Sequence, residues 1–129
     1  MTCGTMNGRR GTSADVIIHA RAIEAVLSVA DSSTSDDLRV GVYLDGIVSS
    51  DDGGRFYEVT GLLPSVDGAV GMAVTSEDEV IEPSDGDVSV LRADIREGVL
   101  IVVDPYACQF SISIVDDEGV RRADAVILD

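Results

Sequence analysis

The chain has no lysine, no tryptophan, one histidine and two cysteines among its 129 residues. Each scarcity removes a class of chemistry. A phosphate-cradling Gly-x-x-x-x-Gly-Lys loop cannot exist without lysine. His19 is the lone histidine, so neither a histidine pair for a metal nor a second imidazole for a relay is present. Cys3 and Cys108 form no Cys-x-x-Cys and give neither a disulfide framework nor a thiolate zinc site. Aromatic residues make up 4% of the chain and form no stacking row on a basic background, as single-stranded nucleic acid would require. No apolar run reaches the roughly 18 residues of a membrane span, and the first residues lack the apolar core of a signal peptide. These absences point to a soluble cytoplasmic protein.

Negative charge is abundant. There are 24 acidic residues, 17 Asp and 7 Glu, against nine arginines, for a net charge of −15. A compact monomer of this mass exposes about 6,500 Å², or roughly one uncompensated negative charge per 430 Å². That density disfavours nucleic acid and anionic membranes as partners, since both demand cationic neutralisation. Paired acids such as Asp36-Asp37, Asp51-Asp52 and Asp116-Asp117 repel one another in dilute buffer. At molar salt the Debye length falls to about 3 Å and the repulsion is screened. With lysine absent, the composition looks like that of a cytosolic protein from a salt-accumulating microbe. Hydrophobic residues nevertheless make up 45% of the chain, which excludes a disordered polyelectrolyte.

Residues 1–13 read as a flexible lead-in, rich in glycine and without periodicity. Residues 14–129 read as one domain. Residues 14–18 suit a short strand, and Ile23, Val26, Leu27 and Ala30 then recur at helical spacing. Residues 31–37 read as a solvated loop. Residues 38–44 alternate as a strand and pair with residues 55–60 through the acidic glycine turn at 51–54. Residues 69–74 suit a buried strand, and a second helix over 85–97 turns Val88, Leu91 and Ile95 inward, with Gly98 ending it. Residues 99–103 are continuously apolar, as a strand covered on both faces requires. Asp104-Pro105 stops that strand. Phe110, Ile112 and Ile114 alternate with Ser111 and Ser113 as a half-buried strand, Asp117-Glu118-Gly119 turns the chain, and residues 123–128 supply a last strand. The pattern predicts a mixed α/β (α+β) domain with about six or seven strands and two main helices.

The segment from Gly71 to Asp87 carries the most chemical information, because it leaves a buried strand, crosses an acidic stretch and starts a helix. Ser84 and Asp87 admit two readings. In one, Ser84 is the N-cap, accepting from the Asp87 backbone N–H, while the Asp87 carboxylate favours the positive end of the helix. In the other, Asp87 is a metal ligand and Ser84 a hydrogen-bond donor beside it. Pro83 just outside the helix start and the apolar stripe that follows favour the cap.

In this segment the chain resembles the JAMM/MPN family, the fold of zinc-dependent isopeptidases that remove ubiquitin-like modifiers and of their inactive scaffold relatives. The family motif is His-x-His, seven residues, then Ser-x-x-Asp. Ser84 and Asp87 match its second half, and the two histidine positions then fall at Val74 and Ser76. Val70-Gly71-Met72-Ala73 stands where the family has Val-Gly-Trp-Tyr. Further likeness lies in the helix after Val16-Ile17-Ile18-His19, in Val40-Gly41-Val42-Tyr43-Leu44-Asp45-Gly46, and in Leu100-Ile101-Val102-Val103-Asp104-Pro105. The likeness spans about residues 14–128 in the family's order. It implies a curved mixed sheet, and it implies that Leu38 replaces the catalytic glutamate. Of three ligands and a general base, only Asp87 survives. One carboxylate cannot hold a catalytic zinc, which needs three protein ligands and an open position for water. The resemblance therefore implies no catalytic residue, no bound metal and no cofactor. Leu38, Val74, Ser76, Ser84 and Asp87 become vestigial motif positions in a non-catalytic interaction or scaffold module. Its expected partner is a protein, in a homodimer or heterodimer, by resemblance a JAMM-type peptidase or a ubiquitin-like modifier system.

Other candidates carry less. His19 at the strand-to-helix junction reads as a capping or packing residue, and no Gly-x-Ser-x-Gly elbow accompanies it. Cys108 has no surroundings that suggest a lowered thiol pKa. A metal-dependent hydrolase with an atypical site would draw on Asp87 with Glu77, Asp78 or Glu82, although a solvated acidic face explains these residues better. A small-ligand-binding domain is the remaining alternative. Tyr57 or Tyr106 is a candidate interface anchor. The charge reading makes a direct prediction: the thermal midpoint rises from dilute buffer to molar potassium chloride. A midpoint that stays level or falls contradicts it.

Overall fold

The computed structural model describes residues 15–33, 41–51, 54–76, 81–104 and 109–128. The elements in chain order are β1 (Val16–His19), α1 (Ala20–Ser33), β2 (Gly41–Asp51), β3 (Gly54–Leu63), β4 (Gly71–Thr75), α2 (Asp85–Asp94), β5 (Gly98–Asp104), β6 (Gln109–Asp116), β7 (Gly119–Arg122) and β8 (Ala125–Leu128). The strands form one curved mixed sheet in the order β7-β6-β5-β4-β2-β3-β1-β8. β1 lies parallel to both β3 and β8, and β4 parallel to β5, while the other neighbours are antiparallel. The expected α+β class and the two helices are present. Among the described residues the strand count is eight, because Gly119–Arg122, between the expected turn and the expected last strand, pairs with β6 as a strand of its own. Ala123 donates to the Ile112 carbonyl, after which the chain leaves β6 and pairs with β1.

The two helices cover opposite faces, and strand alternation decides which side chain enters which core. On one face Ala22, Ile23 and Val26 of α1 pack with Val16, Ile18, Leu44, Val59, Ala73, Val99, Ile101 and Val103. On the other, Val88 and Leu91 of α2 pack with Met72, Val74, Leu100, Val102 and Val115. All seven residues of β5 are buried, and successive ones alternate between the two cores. The uninterrupted apolar run at 99–103 has this cause.

Coverage by α2 also corrects the reading of β6. Ser111 and Ser113 were expected on a solvated face, but each is only 2% exposed. Ser111 Oγ donates to the Ile81 carbonyl, which ties the approach to α2 onto β6. Alternation of Ser with Ile distinguishes two faces but cannot say that a distant helix covers the polar one. The helix bounds shift too. α1 continues through Asp31, Ser32 and Ser33, which were expected in a loop. α2 ends at Asp94 rather than Glu97, with Ile95 and Arg96 both donating to the Leu91 carbonyl. Arg96, not Gly98, adopts the positive φ, 83°. Gly98 is instead the first residue of β5, where a Cβ would stand 2.5 Å from the Val70 carbonyl oxygen.

Gly71 faces the same constraint from the other strand, since its Cβ would collide with the Val99 carbonyl. Two glycines therefore let the parallel pair β4/β5 close where it begins. Gly71→Ala is expected to destabilise the fold by about 2–3 kcal/mol, as forced overpacking does. Gly61→Ala, where a Cβ meets nothing within 4 Å, is the control and should change stability by under about 0.5 kcal/mol. Urea unfolding of the two variants checks the contrast.

Candidate functional site

Of the motif positions, Val74 and Ser76 lie at the end of β4, and Ser84 and Asp87 at the start of α2, which packs over that strand. Val74 is 8% exposed and belongs to the core under α2, together with Val88 and Leu91. It also borders a crevice walled by Val26, Val29, Val42, Ala73, Thr75 and Val103. The free space there is about 10 Å³, on the order of a single water. The position where the motif resemblance expected an imidazole thus holds a branched alkyl group in apolar surroundings.

Ser76 follows the last residue of β4, and its backbone N–H donates to the Val103 carbonyl at 2.7 Å. The β4–β5 ladder is thereby prolonged by one bond, and Ser76 itself is half-buried. Leu38 lies outside the described residues, as do Glu77, Asp78, Tyr106 and Cys108.

Ser84 is the N-cap of α2, with extended φ −86° and ψ 160°. Its Oγ accepts from the Asp87 N–H at 3.1 Å, and its carbonyl takes the first helical bond from Val88 at 3.0 Å. The capping reading holds in full. Asp85 and Asp87 both fall in the first turn, where the helix dipole favours carboxylates. Asp87 is 8% exposed. Glu82, the other described acid of the atypical-metal reading, is committed to an exposed ion pair with Arg122 at 2.8 Å. Among the described residues, no three His, Cys, Asp or Glu side chains are grouped to hold a metal ion.

Sequence reasoning singled out neither Thr75 nor Asp104 as a site residue, yet both are buried polar residues at this end, 7% and 3% exposed. They sit at the ends of β4 and β5, next to the register pair Thr75↔Val103. Like Asp87 and Ser76, each is engaged by a partner. The only sequence signal was a polar residue closing an apolar run, which any strand end shows. The end of the sheet is thus a satisfied polar seam over an apolar crevice.

His19 takes no part in this seam. Its Nε2 lies 2.7 Å from Glu58 Oε2, a half-exposed pair on adjacent strands. Its expected structural role stands, as a cross-strand partner rather than a helix cap. Tyr57, expected as a surface anchor, is 3% exposed and belongs to the core under α1. Strand parity places it beside Val16 on the covered face. Tyr43 instead makes a polar contact on the surface, where its hydroxyl donates to Asp94 Oδ2 at 2.9 Å. That bond to a carboxylate, with some desolvation and the nearby negative charge, raises its pKa above the usual 10.0.

No protein-family model matches the chain, and no curated protein matches it significantly in sequence. Solved structures do resemble it. A Desulfitobacterium hafniense protein determined in solution superposes with a TM-score of 0.62 at 12% identity, over 88% of this chain and 93% of that one. A JAB1/MPN domain protein from Archaeoglobus fulgidus superposes with a TM-score of 0.54 at 19% identity, over 90% of this chain and all of the other. The chain therefore has an MPN-like fold, and at these identities the likeness concerns the fold alone.

The cap yields a measurable expectation. Ser84→Ala removes the acceptor for the Asp87 N–H and should cost about 1 kcal/mol, while Ser84→Asp restores most of it. Denaturant titration of both variants in high salt checks the role, and no loss in Ser84→Ala contradicts it.

Proposed function

We propose that the protein is a non-catalytic interaction or scaffold module of MPN type, whose partner is another protein. The carrying observation is the content of the motif positions. Val74 fills apolar space, and Ser84 caps a helix whose first turn includes Asp87. Leu38, Val74, Ser76, Ser84 and Asp87 are on this reading the remains of a hydrolytic centre, and the fold around them is kept for another use. A zinc hydrolase needs three ligands and an open position, and the residue types at these positions do not supply them.

Surface chemistry favours a protein partner. The face of the sheet that carries α2 also extends over β2, β3, β1 and β8. There the cross-strand row Ile47–Glu58–Ile17–Val126 runs beside Leu128 and Phe56. Ile47 is 58% and Leu128 42% exposed. Apolar side chains grouped around the His19–Glu58 pair on a strongly acidic molecule are what a protein contact in high salt would use, because charge contributes little there. By fold analogy the partner belongs to a JAMM-type peptidase or a ubiquitin-like modifier system, and the assembly is a homodimer or heterodimer.

The test has two arms. Light scattering and affinity capture in molar salt are expected to recover a defined complex or dimer, with Ile47→Glu weakening it at least about tenfold. Cleavage of a modifier conjugate by the zinc-supplemented protein is expected to be absent. Recovery of monomer alone argues against the module. Turnover that Asp87→Ala abolishes overturns it.

A further inference from the structure

Among the described residues the sheet ends in β7 on one side and β8 on the other, and the two edges differ in chemistry. β7 carries Arg121 and Arg122, each with its side chain 53% exposed. Charged side chains on an edge strand guard it against the addition of another strand. β8 is Ala-Val-Ile-Leu, with no charge, proline or glycine in its four residues. Its ladder partner among the described strands is β1 alone.

The ladder to β1 shows which backbone groups of β8 are left over. The Val16 N–H donates to the Asp124 carbonyl, with Val16 opposite Ala125. In a parallel pair, alternate residues of a strand bond to the same neighbour. Asp124, Val126 and Leu128 therefore face β1, while the N–H and C=O of Ala125 and Ile127 point to the edge. Ala125 is buried, Ile127 half-buried and Leu128 42% exposed, so the open stretch is the end of the strand, centred on Ile127.

We infer that β8 pairs with β8 of a second copy of this chain, antiparallel about a two-fold axis at Ile127. At the axis Ile127 donates to and accepts from the partner's Ile127, and Val126 stands opposite the partner's Leu128. The apolar row from Ile47 through Ile17 to Val126 then continues across the axis. The difference between the edges selects a second copy. Pairing at β8 removes the unguarded edge from both molecules and leaves β7 at each end, where the arginines oppose further strands. The contact closes at two copies and does not grow into a fibre. Each copy carries a net charge of −15, so the pair forms in molar salt, where the screening length is about 3 Å, and comes apart in dilute buffer. The contact uses the strand edge and leaves the apolar face of the sheet open to a different protein, so either can fail while the other stands.

Analytical ultracentrifugation in molar potassium chloride, with amide hydrogen exchange over a protein dilution series, tests the pairing. A concentration-dependent dimer is expected, in which the Ile127 amide exchanges at least about tenfold more slowly than in the monomer. Ile127→Pro removes that N–H and none that β1 uses, so it should weaken the dimer at least about tenfold while the dilute protein keeps its fold. Leu128→Glu, set against the partner's Val126, should weaken it by a similar factor without altering any backbone bond. A dimer whose Ile127 amide exchanges as fast as the monomer's overturns the pairing. So does monomer at every concentration, and capture of a different protein by that monomer would leave the interaction module standing. Assemblies that grow beyond two copies overturn it as well.

Discussion

The parallel pair β4/β5 is buried on both faces, and the rest of the molecule is arranged around that constraint. Every residue of both strands is buried. Each side chain must therefore enter one of two cores, and neither face tolerates a polar residue without a partner. α1 closes one core and α2 the other. The strands approach closely where they begin because Gly71 and Gly98 have no side chain to keep them apart. Where they end, the chain turns polar at Thr75 and Asp104, and these buried groups are satisfied rather than left open.

That geometry explains the fate of the motif segment. The last residues of β4 and the first turn of α2 meet because α2 must lie over β4, β5 and β6 to bury Val88 and Leu91. In this chain the positions contribute packing, a ladder bond and a helix cap.

Charge divides along similar lines. The arginines described with partners are spent on local ties: Arg121 to Asp15, Arg122 to Glu82, Arg21 to the Thr60 carbonyl and Arg92 to the Asp116 carbonyl. These exposed contacts contribute little individually. They pin segments that the sheet ladder leaves loose, including the bulge between β2 and β3 and the β6–β7 turn. Nine arginines cannot offset 24 acidic residues, so a net charge of −15 remains.

Local periodicity made the class, both helices and the central strand legible in the sequence, because burial on one face or two imprints a period that neighbouring residues carry themselves. The Ser84 cap was legible for the same reason, its partner lying three residues away. Pairing between distant segments left no such imprint. Nothing local announces that α2 covers Ser111 and Ser113, that the chain crosses from β6 to lie parallel to β1, or that Tyr57 faces inward into the core under α1. Residue identity alone put an alkyl group at Val74 and a hydroxyl at Ser76, where the motif resemblance expected imidazoles. Only the tertiary structure decided what fills their place, because that depends on which helix and strands converge there.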